Sequence, residues 1–142
     1  MDECPLCLAR DEVLVHGADD LRVILIDDPD YPGYCRVIWN AHVAEMSELP
    51  RRQARRLMDA VFAVETALRT VMQPTKVNLA SLGNMAAHLH WHVIPRFADD
   101  AHFPQSIWGP RMRATDARRV AGRLALLPEL RKAIGAELTH AA

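Results

Sequence analysis

The sequence lacks features that mark several classes of protein. It has no strong charge of either sign, because 17 basic residues are set against 18 acidic ones and the formal net charge is −1. Such a balance gives no general reason to expect nucleic acid as a partner. It also has no apolar stretch near the roughly 20 residues that span a bilayer, so we expect no membrane partner.

Cysteine is scarce as well. The chain has three cysteines, Cys4, Cys7 and Cys35, and an odd, small number does not form a disulfide framework. The N-terminus lacks the basic region and apolar run of a secretory signal. These absences predict a cytoplasmic protein.

What the sequence does contain is enough apolar material for one domain. Half of its 142 residues are hydrophobic, so a sizeable core can be buried without disulfides. We predict a single domain over residues 1–142, with its core at about 4–97 and an irregular segment plus a C-terminal helix over 98–142. The predicted strands are 13–16, 21–26, 34–39, 76–81 and 87–96, and a long helix is predicted over 51–72.

The order of these elements predicts the fold class. Strands dominate the first part of the chain and cluster again later, with one long helix between the clusters. Connections within each cluster are short, which favours hairpins over parallel crossover units. We therefore predict an α+β fold, in which one long helix packs on an antiparallel β-sheet and a helical tail follows.

The last predicted strand carries a histidine at every second position. Because successive strand side chains alternate between faces, His88, His90 and His92 are predicted to project from the same face. Imidazoles are poor material for a core, since each has a donor and an acceptor that need partners when buried. The pattern therefore indicates a chemical site.

Two chemistries suit three imidazoles: metal binding, and nucleophilic or acid–base catalysis. The spacing alone does not separate them. The sequence has no HExxH motif, and no carboxylate occurs between Lys76 and Phe97. Because catalytic metal sites usually include a carboxylate near the ion, the composition of this region favours a histidine nucleophile.

The stretch His88-Leu89-His90-Trp91-His92-Val93-Ile94 resembles, position by position, the His-φ-His-φ-His-φ-φ signature (φ apolar) of the histidine triad family of nucleotide hydrolases and transferases. The similarity is to bacterial members that are like diadenosine tetraphosphate hydrolase. Asn78, Gly83-Asn84 and the upstream strands also resemble the family, over about residues 4 to 97. The resemblance implies the family's fold and a nucleotide substrate.

It also implies an activity. The enzyme would cleave the α-phosphate bond of a dinucleoside polyphosphate, or of a nucleoside phosphoramidate or ester. His90 would form a covalent nucleotidyl-histidine intermediate, while His92 and His88 hold the phosphate and orient the site. A neighbouring backbone carbonyl could hold the other ring nitrogen of His90. No cofactor is required for this chemistry.

The resemblance also assigns nucleotide-binding residues. Asn78 and Asn84 would donate amide hydrogens to phosphate oxygens, and Asp27 would accept hydrogen bonds from the ribose. Leu25 and Ile26 would border the base. Asn84 also suits a turn residue with positive φ.

The chain departs from the family pattern at two positions. Met85 stands where many members have Ser or Thr, and a thioether cannot protonate a leaving group. Tyr34 stands where a histidine often follows Pro-Gly. The leaving group therefore stays open.

The Cys4-Pro5-Leu6-Cys7 motif has two interpretations. By the same resemblance, Cys4 and Cys7 would bind a structural zinc ion together with His42 and His88. His88 would then be structural and not catalytic. Otherwise the cysteines are small, semi-buried residues.

Three hypotheses for function remain. The first is the nucleotide hydrolase, which the resemblance implies is a homodimer and in which residues 103–109 could wall the nucleotide pocket. The second is a metal-binding protein that uses the three-histidine face directly. The third is a nucleotide-binding module with little turnover.

Overall fold

The computed structural model describes residues 4–141. Residues 1–3 and 142, which the single-domain prediction includes, lie outside the described part. None of the helices in that part is both long and apolar enough to cross a membrane. The helices are α1 (Pro5–Leu8), α2 (Arg51–Met72), α3 (Ala117–Leu124) and α4 (Leu127–Ala141), with a 3-10 turn at Met46–Glu48, and the strands are β1 (Val13–Gly17), β2 (Leu21–Leu25), β3 (Cys35–Trp39), β4 (Lys76–Ala80) and β5 (His90–Arg96).

The five strands form one antiparallel sheet in the order β1-β2-β3-β5-β4. In the β3–β5 ladder, Ile38 is opposite His90 and Arg36 is opposite His92. Because side chains alternate along a strand, these four residues share one face of the sheet. This face carries the candidate site.

The opposite face is covered by helices. Val23, Val37 and Val93 belong to the main core cluster with Leu57, Val64 and other residues of α2. Helix α4 packs against α2 and contributes Leu130 and Ile134 to the same core. The α+β fold and the long helix are therefore confirmed.

Strands β1 to β4 differ from their predicted bounds by one residue each, and two other elements differ by more. Strand β5 begins at His90 and not at residue 87, because the backbone N–H of Leu89 bonds to Val43 O and the backbone N–H of His88 to Ala86 O. The C-terminal helix is divided into α3 and α4, with Pro128 in the first turn of α4. Asp116 caps α3 by accepting from two backbone N–H groups.

Helix α1 is not among the elements predicted from the sequence. This single helical turn begins after Cys4 with Pro5 in its first turn and ends at Ala9, which has a left-handed backbone. Leu6 anchors it by packing against Ile24 and Ile38 on the site face of the sheet. The turn places Cys4 and Cys7 beside the end of β3.

Candidate active site

A cleft of about 500 Å³ opens on the sheet face opposite α2 and α4. Five parts of the chain line it: α1, β3, the turn before β5, β5 itself and the segment after β5. The lining residues that matter for chemistry are Arg36, Asn84, Met85, His90, His92 and Trp108.

His90 is held in one orientation by its own backbone. Its Nδ1 lies 2.7 Å from the carbonyl oxygen of His88, and its side chain is only 8% exposed. Because a carbonyl oxygen can only accept, Nδ1 carries the proton and Nε2 carries the lone pair. In the neutral ring, the nitrogen of His90 that carries the lone pair is therefore Nε2.

His92 lies next to His90 with ring centroids 5.0 Å apart. A hydrogen bond of 2.6 Å joins its Nδ1 to the hydroxyl of Tyr34, the residue that departs from the family pattern. Burial lowers the pKa of His92 to about 4, and Arg36 and His90 act in the same direction. His92 is therefore neutral at neutral pH.

Arg36 is a cation on the same face that the sequence did not single out. Its Nε is buried and has no hydrogen-bond partner among the described residues. Burial raises the pKa of the Tyr34 hydroxyl, and the nearby Arg36 opposes this rise. Arg36 belongs to the site because it is opposite His92 in the sheet. That position is known only from the register of the strands, which the sequence alone does not show.

Asn78 is placed by a buried ion pair. Arg96 donates from Nη1 to the Asn78 side-chain oxygen at 2.8 Å, and from Nε to Asp100 at 2.8 Å. An arginine can only donate, so this bond identifies the Asn78 oxygen and turns its NH₂ group away from Arg96. Asn78 does not line the same cleft as His90. It lines a neighbouring depression together with Ser106 and Trp108.

The segment after β5 is irregular but firmly held. Asp100 accepts from the backbone N–H groups of His102 and Phe103, and Arg96 donates to Gln105 O at 2.7 Å. Trp108 extends from this segment over His92 with ring centroids 5.0 Å apart. Trp108 lines the cleft and is 52% exposed, so it forms one wall of the cleft and is not part of the core.

The turn before β5 forms the opposite wall. Asn84 and Met85 are exposed there, and both line the cleft. The positive φ of this turn belongs to Gly83, at 69°, so the expectation that Asn84 adopts it is wrong. Gly83 has no Cβ, which removes the steric cost of that backbone conformation.

The residues expected to bind the nucleoside separate in space. Ile26 packs with Ile24 and Ile38 on the site face. Leu25 packs against the main core on the helix-covered face, because adjacent strand residues alternate. Leu25 is therefore directed away from the cleft, which corrects the expectation that it borders the base. Asp27 follows β2 and is exposed.

His88 is separated from the other two triad histidines. It lies just before β5, and its Nε2 is 2.6 Å from the carbonyl oxygen of Trp39. That bond requires the proton on Nε2 and leaves the Nδ1 lone pair facing the sulfurs of Cys4 and Cys7, at 3.5 and 3.4 Å. The side chain of His88 does not line the cleft; its backbone carbonyl supports His90.

The ligand atoms of Cys4, Cys7, His42 and His88 form a compact group in which all lie within 4.8 Å of one another. Cys7 Sγ is 3.2 Å from His42 Nδ1. Tetrahedral zinc with its usual bond lengths would separate sulfur and nitrogen ligands by about 3.5 Å. The His88 bond to a backbone carbonyl is the support that zinc-bound histidines usually have. These four residues therefore fit a zinc ion.

Comparison with known proteins places these features in a family. The profile of the HIT domain matches residues 9–99. A curated relative, the AP-4-A phosphorylase of Mycobacterium tuberculosis, is 29% identical over 90 residues. These cover 59% of this chain and 46% of that protein, so the chain spans about half the length of the curated relatives it matches.

Solved structures agree with the family match. A histidine triad protein from Bradyrhizobium japonicum is 29% identical, with a TM-score of 0.71 over 89% of this chain and 93% of that one. Another from Marinobacter aquaeolei is 27% identical, with a TM-score of 0.69 over the same shares. The resemblance first noted around His90 is confirmed, and the chain belongs to the histidine triad (HIT) family.

Proposed function

We propose that this protein is a nucleotide hydrolase that cleaves at the α-phosphorus through a covalent intermediate on His90. The observation that carries the proposal is the bond from His90 Nδ1 to the His88 carbonyl, because it fixes the tautomer with a free lone pair on Nε2. The relative named AP-4-A phosphorylase supports a dinucleoside polyphosphate as the first substrate to test.

In the first step, the Nε2 lone pair forms a bond to the α-phosphorus, and the bond from phosphorus to the leaving group breaks. The leaving group departs with that electron pair. The positive charge on the imidazole is stabilised by the Nδ1–H bond to the His88 carbonyl. Water then attacks phosphorus, the P–N bond breaks, and the water proton is lost to solvent, which regenerates neutral His90.

Other residues of the site would support this chemistry. His92 is neutral and next to His90, so it would help to hold the phosphate without a fixed charge of its own. Asn84 lines the cleft and can donate to a phosphate oxygen, and Asn78 beside it can do so with the NH₂ group that faces away from Arg96. Ile26 and Asp27 would contact the nucleoside.

The test is AMP release from diadenosine tetraphosphate and from an AMP amidate, with a chelator present. We expect turnover by the wild type, and a loss of at least about a thousandfold in His90→Asn. Full activity in His90→Asn would contradict the proposal, and loss of wild-type activity on chelation would favour metal catalysis. Nucleotide binding by the wild type without turnover would favour a binding module.

A second candidate differs only in the acceptor. The relative's name, phosphorylase, raises the possibility that inorganic phosphate replaces water in the second step. Attack by phosphate on a nucleotidyl-histidine would produce a nucleoside diphosphate, whereas water produces the monophosphate. Adding inorganic phosphate and measuring ADP against AMP separates the two acceptors, and we expect AMP.

We also propose a structural zinc ion bound by Cys4, Cys7, His42 and His88, supported by their spacing. The ion would fix α1 against the loop after β3 and hold the peptide of His88. It would take no part in bond breaking. We expect about one zinc per purified chain, and its loss in Cys7→Ser but not in Cys35→Ala, since Cys35 is buried away from the cluster. Equal zinc content in both variants would contradict this assignment.

A homodimer is the third part of the proposal. Strand β4 is at the end of the sheet, with β5 on one side, and an open edge can pair with another chain. Phe62 on α2 is 49% exposed and adds apolar surface. Sedimentation should give twice the chain mass of 16.0 kDa, and a monomer at micromolar concentration would refute this part.

A further inference from the structure

The cleft contains a cation that the proposed bond-breaking step does not use. Arg36 lines the cleft beside His92, and its Nε is buried without a hydrogen-bond partner among the described residues. The ion pairs within residues 4–141 do not include Arg36. Because a buried donor without a partner is costly, and more so when it is charged, we expect a ligand to supply the missing acceptor.

The register of the sheet places Arg36 on the nucleoside side of the nucleophile. In the β3–β5 ladder, Ile38 is opposite His90, whereas Arg36 is opposite His92. Because β2 runs antiparallel to β3, this step of two residues, about 7 Å, leads towards the end of β2 and Ile26. Arg36 therefore faces the part of the cleft that the proposed function gives to the nucleoside.

The neighbours of Arg36 on this side are apolar. Ile24 of β2 is opposite Arg36, and Leu6 of α1 packs against Ile24 on the same face. Pro5 and Leu6 line the cleft with Arg36, whereas no carboxylate lines it in the described part of the chain. A nucleobase has apolar faces and a polar edge, so it suits apolar walls that hold one group of hydrogen-bond donors.

The donors of Arg36 distinguish between the purine bases. A guanidinium can only donate, and its planar fork pairs best with two acceptors side by side. Guanine presents O6 and N7 as such a pair, whereas adenine presents N7 beside an amino group that is itself a donor. A site built around a hydrogen bond rejects a ligand that leaves the buried group unpaired. The fork of Arg36 therefore suits guanine and opposes adenine.

We propose that Arg36 binds the O6 and N7 edge of guanine and makes the enzyme prefer guanine nucleotides to adenine nucleotides. This inference rests on the proposed function, which gives the position of the nucleoside. Arg36 contacts the base and takes no part in the bond-breaking steps at phosphorus. Diguanosine tetraphosphate should therefore be a better substrate than diadenosine tetraphosphate.

The experiment compares diguanosine tetraphosphate with diadenosine tetraphosphate, which share the ribose and the phosphate chain and differ only in the base. For the wild type we expect kcat/KM to be about 5- to 150-fold higher on the guanine substrate, the range for one good bidentate contact. Diinosine tetraphosphate has O6 and N7 but lacks the 2-amino group of guanine. It should therefore be turned over like the guanine substrate.

The variants are read by the ratio of kcat/KM on the guanine substrate to kcat/KM on the adenine substrate. Arg36→Met removes the donors but keeps a long side chain, so this ratio should fall to near one. In Arg36→Gln the amide can pair with N6 and N7 of adenine, so the ratio should fall further. Arg55→Gln should keep the wild-type ratio, because Arg55 is exposed on α2 on the other side of the sheet.

Equal wild-type kcat/KM on the guanine and adenine substrates would overturn the proposal, and so would an unchanged ratio in a folded Arg36→Met protein. Slow turnover of the inosine substrate would place recognition on the 2-amino group and would overturn it as well. If Arg36→Met does not fold, the ratio in Arg36→Gln decides the question.

Absence of wild-type turnover on all three substrates would instead refute the function proposed for His90. Calorimetry with GMP and AMP then tests Arg36 by itself. We expect GMP to bind more tightly than AMP to the wild type, and equal affinities would overturn the proposal.

Discussion

The buried ion pair of Arg96 and Asp100 gives a sharp prediction, because it supports both the fold and the site. Asp100 is 1% exposed and accepts from Arg96 at 2.8 and 3.1 Å. The backbone N–H of Phe97 donates to it at 3.0 Å. Burial alone would raise the pKa of Asp100. The hydrogen bonds that the Asp100 carboxylate accepts from Arg96 and from backbone N–H groups hold this pKa well below its ordinary value. The carboxylate is therefore charged throughout the neutral range.

Replacing Asp100 with Asn removes the charge but keeps the size. Arg96 would remain buried without its counterion, and breaking a buried pair from one side typically costs about 3 to 5 kcal/mol. For a chain of this length, that corresponds to a fall in Tm of roughly 10 °C or more. Urea unfolding and a thermal melt measure the two quantities.

The neighbouring Asp99 provides the matched control. It pairs with Arg123 at 2.8 Å and Arg119 at 3.1 Å near the surface, where ion pairs are worth about 0 to 1 kcal/mol. We expect Asp99→Asn to melt close to the wild type. Equal losses of stability in the two variants, or no loss in Asp100→Asn, would contradict the larger contribution of the buried pair to the free energy of unfolding.

Three further predictions concern pH, the backbone and the metal. The folded pKa of His92 is about 4 against an ordinary 6.5, so its contribution to stability is complete above pH 6.5 and is lost as pH falls towards 4. The free energy of unfolding of His92→Asn should therefore fall less between about pH 7 and pH 5 than that of the wild type, and parallel curves would argue against a buried neutral His92. Gly33→Ala should destabilise by about 1 to 2 kcal/mol, because Gly33 has a φ of 93° and a Cβ there would lie 2.5 Å from Met72 Sδ. Gly122 is within α3, and a Cβ there would meet nothing within 4 Å. Gly122→Ala should therefore stabilise the protein by up to about 1 kcal/mol, as measured by urea unfolding of both glycine variants. A chelator should lower the Tm of the wild type but not of Cys7→Ser, and identical responses would count against the zinc site.

Local patterns predicted much of the architecture. The apolar period of 51–72 predicted α2 with its observed bounds, because the core-facing stripe repeats over six turns. Alternation along the last strand placed His90 and His92 on one face. The family motif then indicated His90 as the nucleophile.

What could not be predicted depended on contacts between distant residues. Arg36 becomes part of the site only through its register with β5, and the role of Arg96 only through its buried bonds to Asp100 and Asn78. The turn α1 is too short to show a period. The family resemblance groups Leu25 with Ile26 at the base, whereas alternation along the strand directs their side chains to opposite faces of the sheet.

The most direct test of the central claim is to trap the intermediate. The wild type is mixed with diadenosine tetraphosphate, quenched rapidly at alkaline pH, and digested, and the peptides are analysed by mass spectrometry. Cleavage after Lys76 and Arg96 gives one peptide with all three triad histidines. We expect an adenylyl group on His90, absent from His90→Asn. A modification on His88 or His92, or turnover with no adduct at any quench time, would contradict a covalent intermediate on His90.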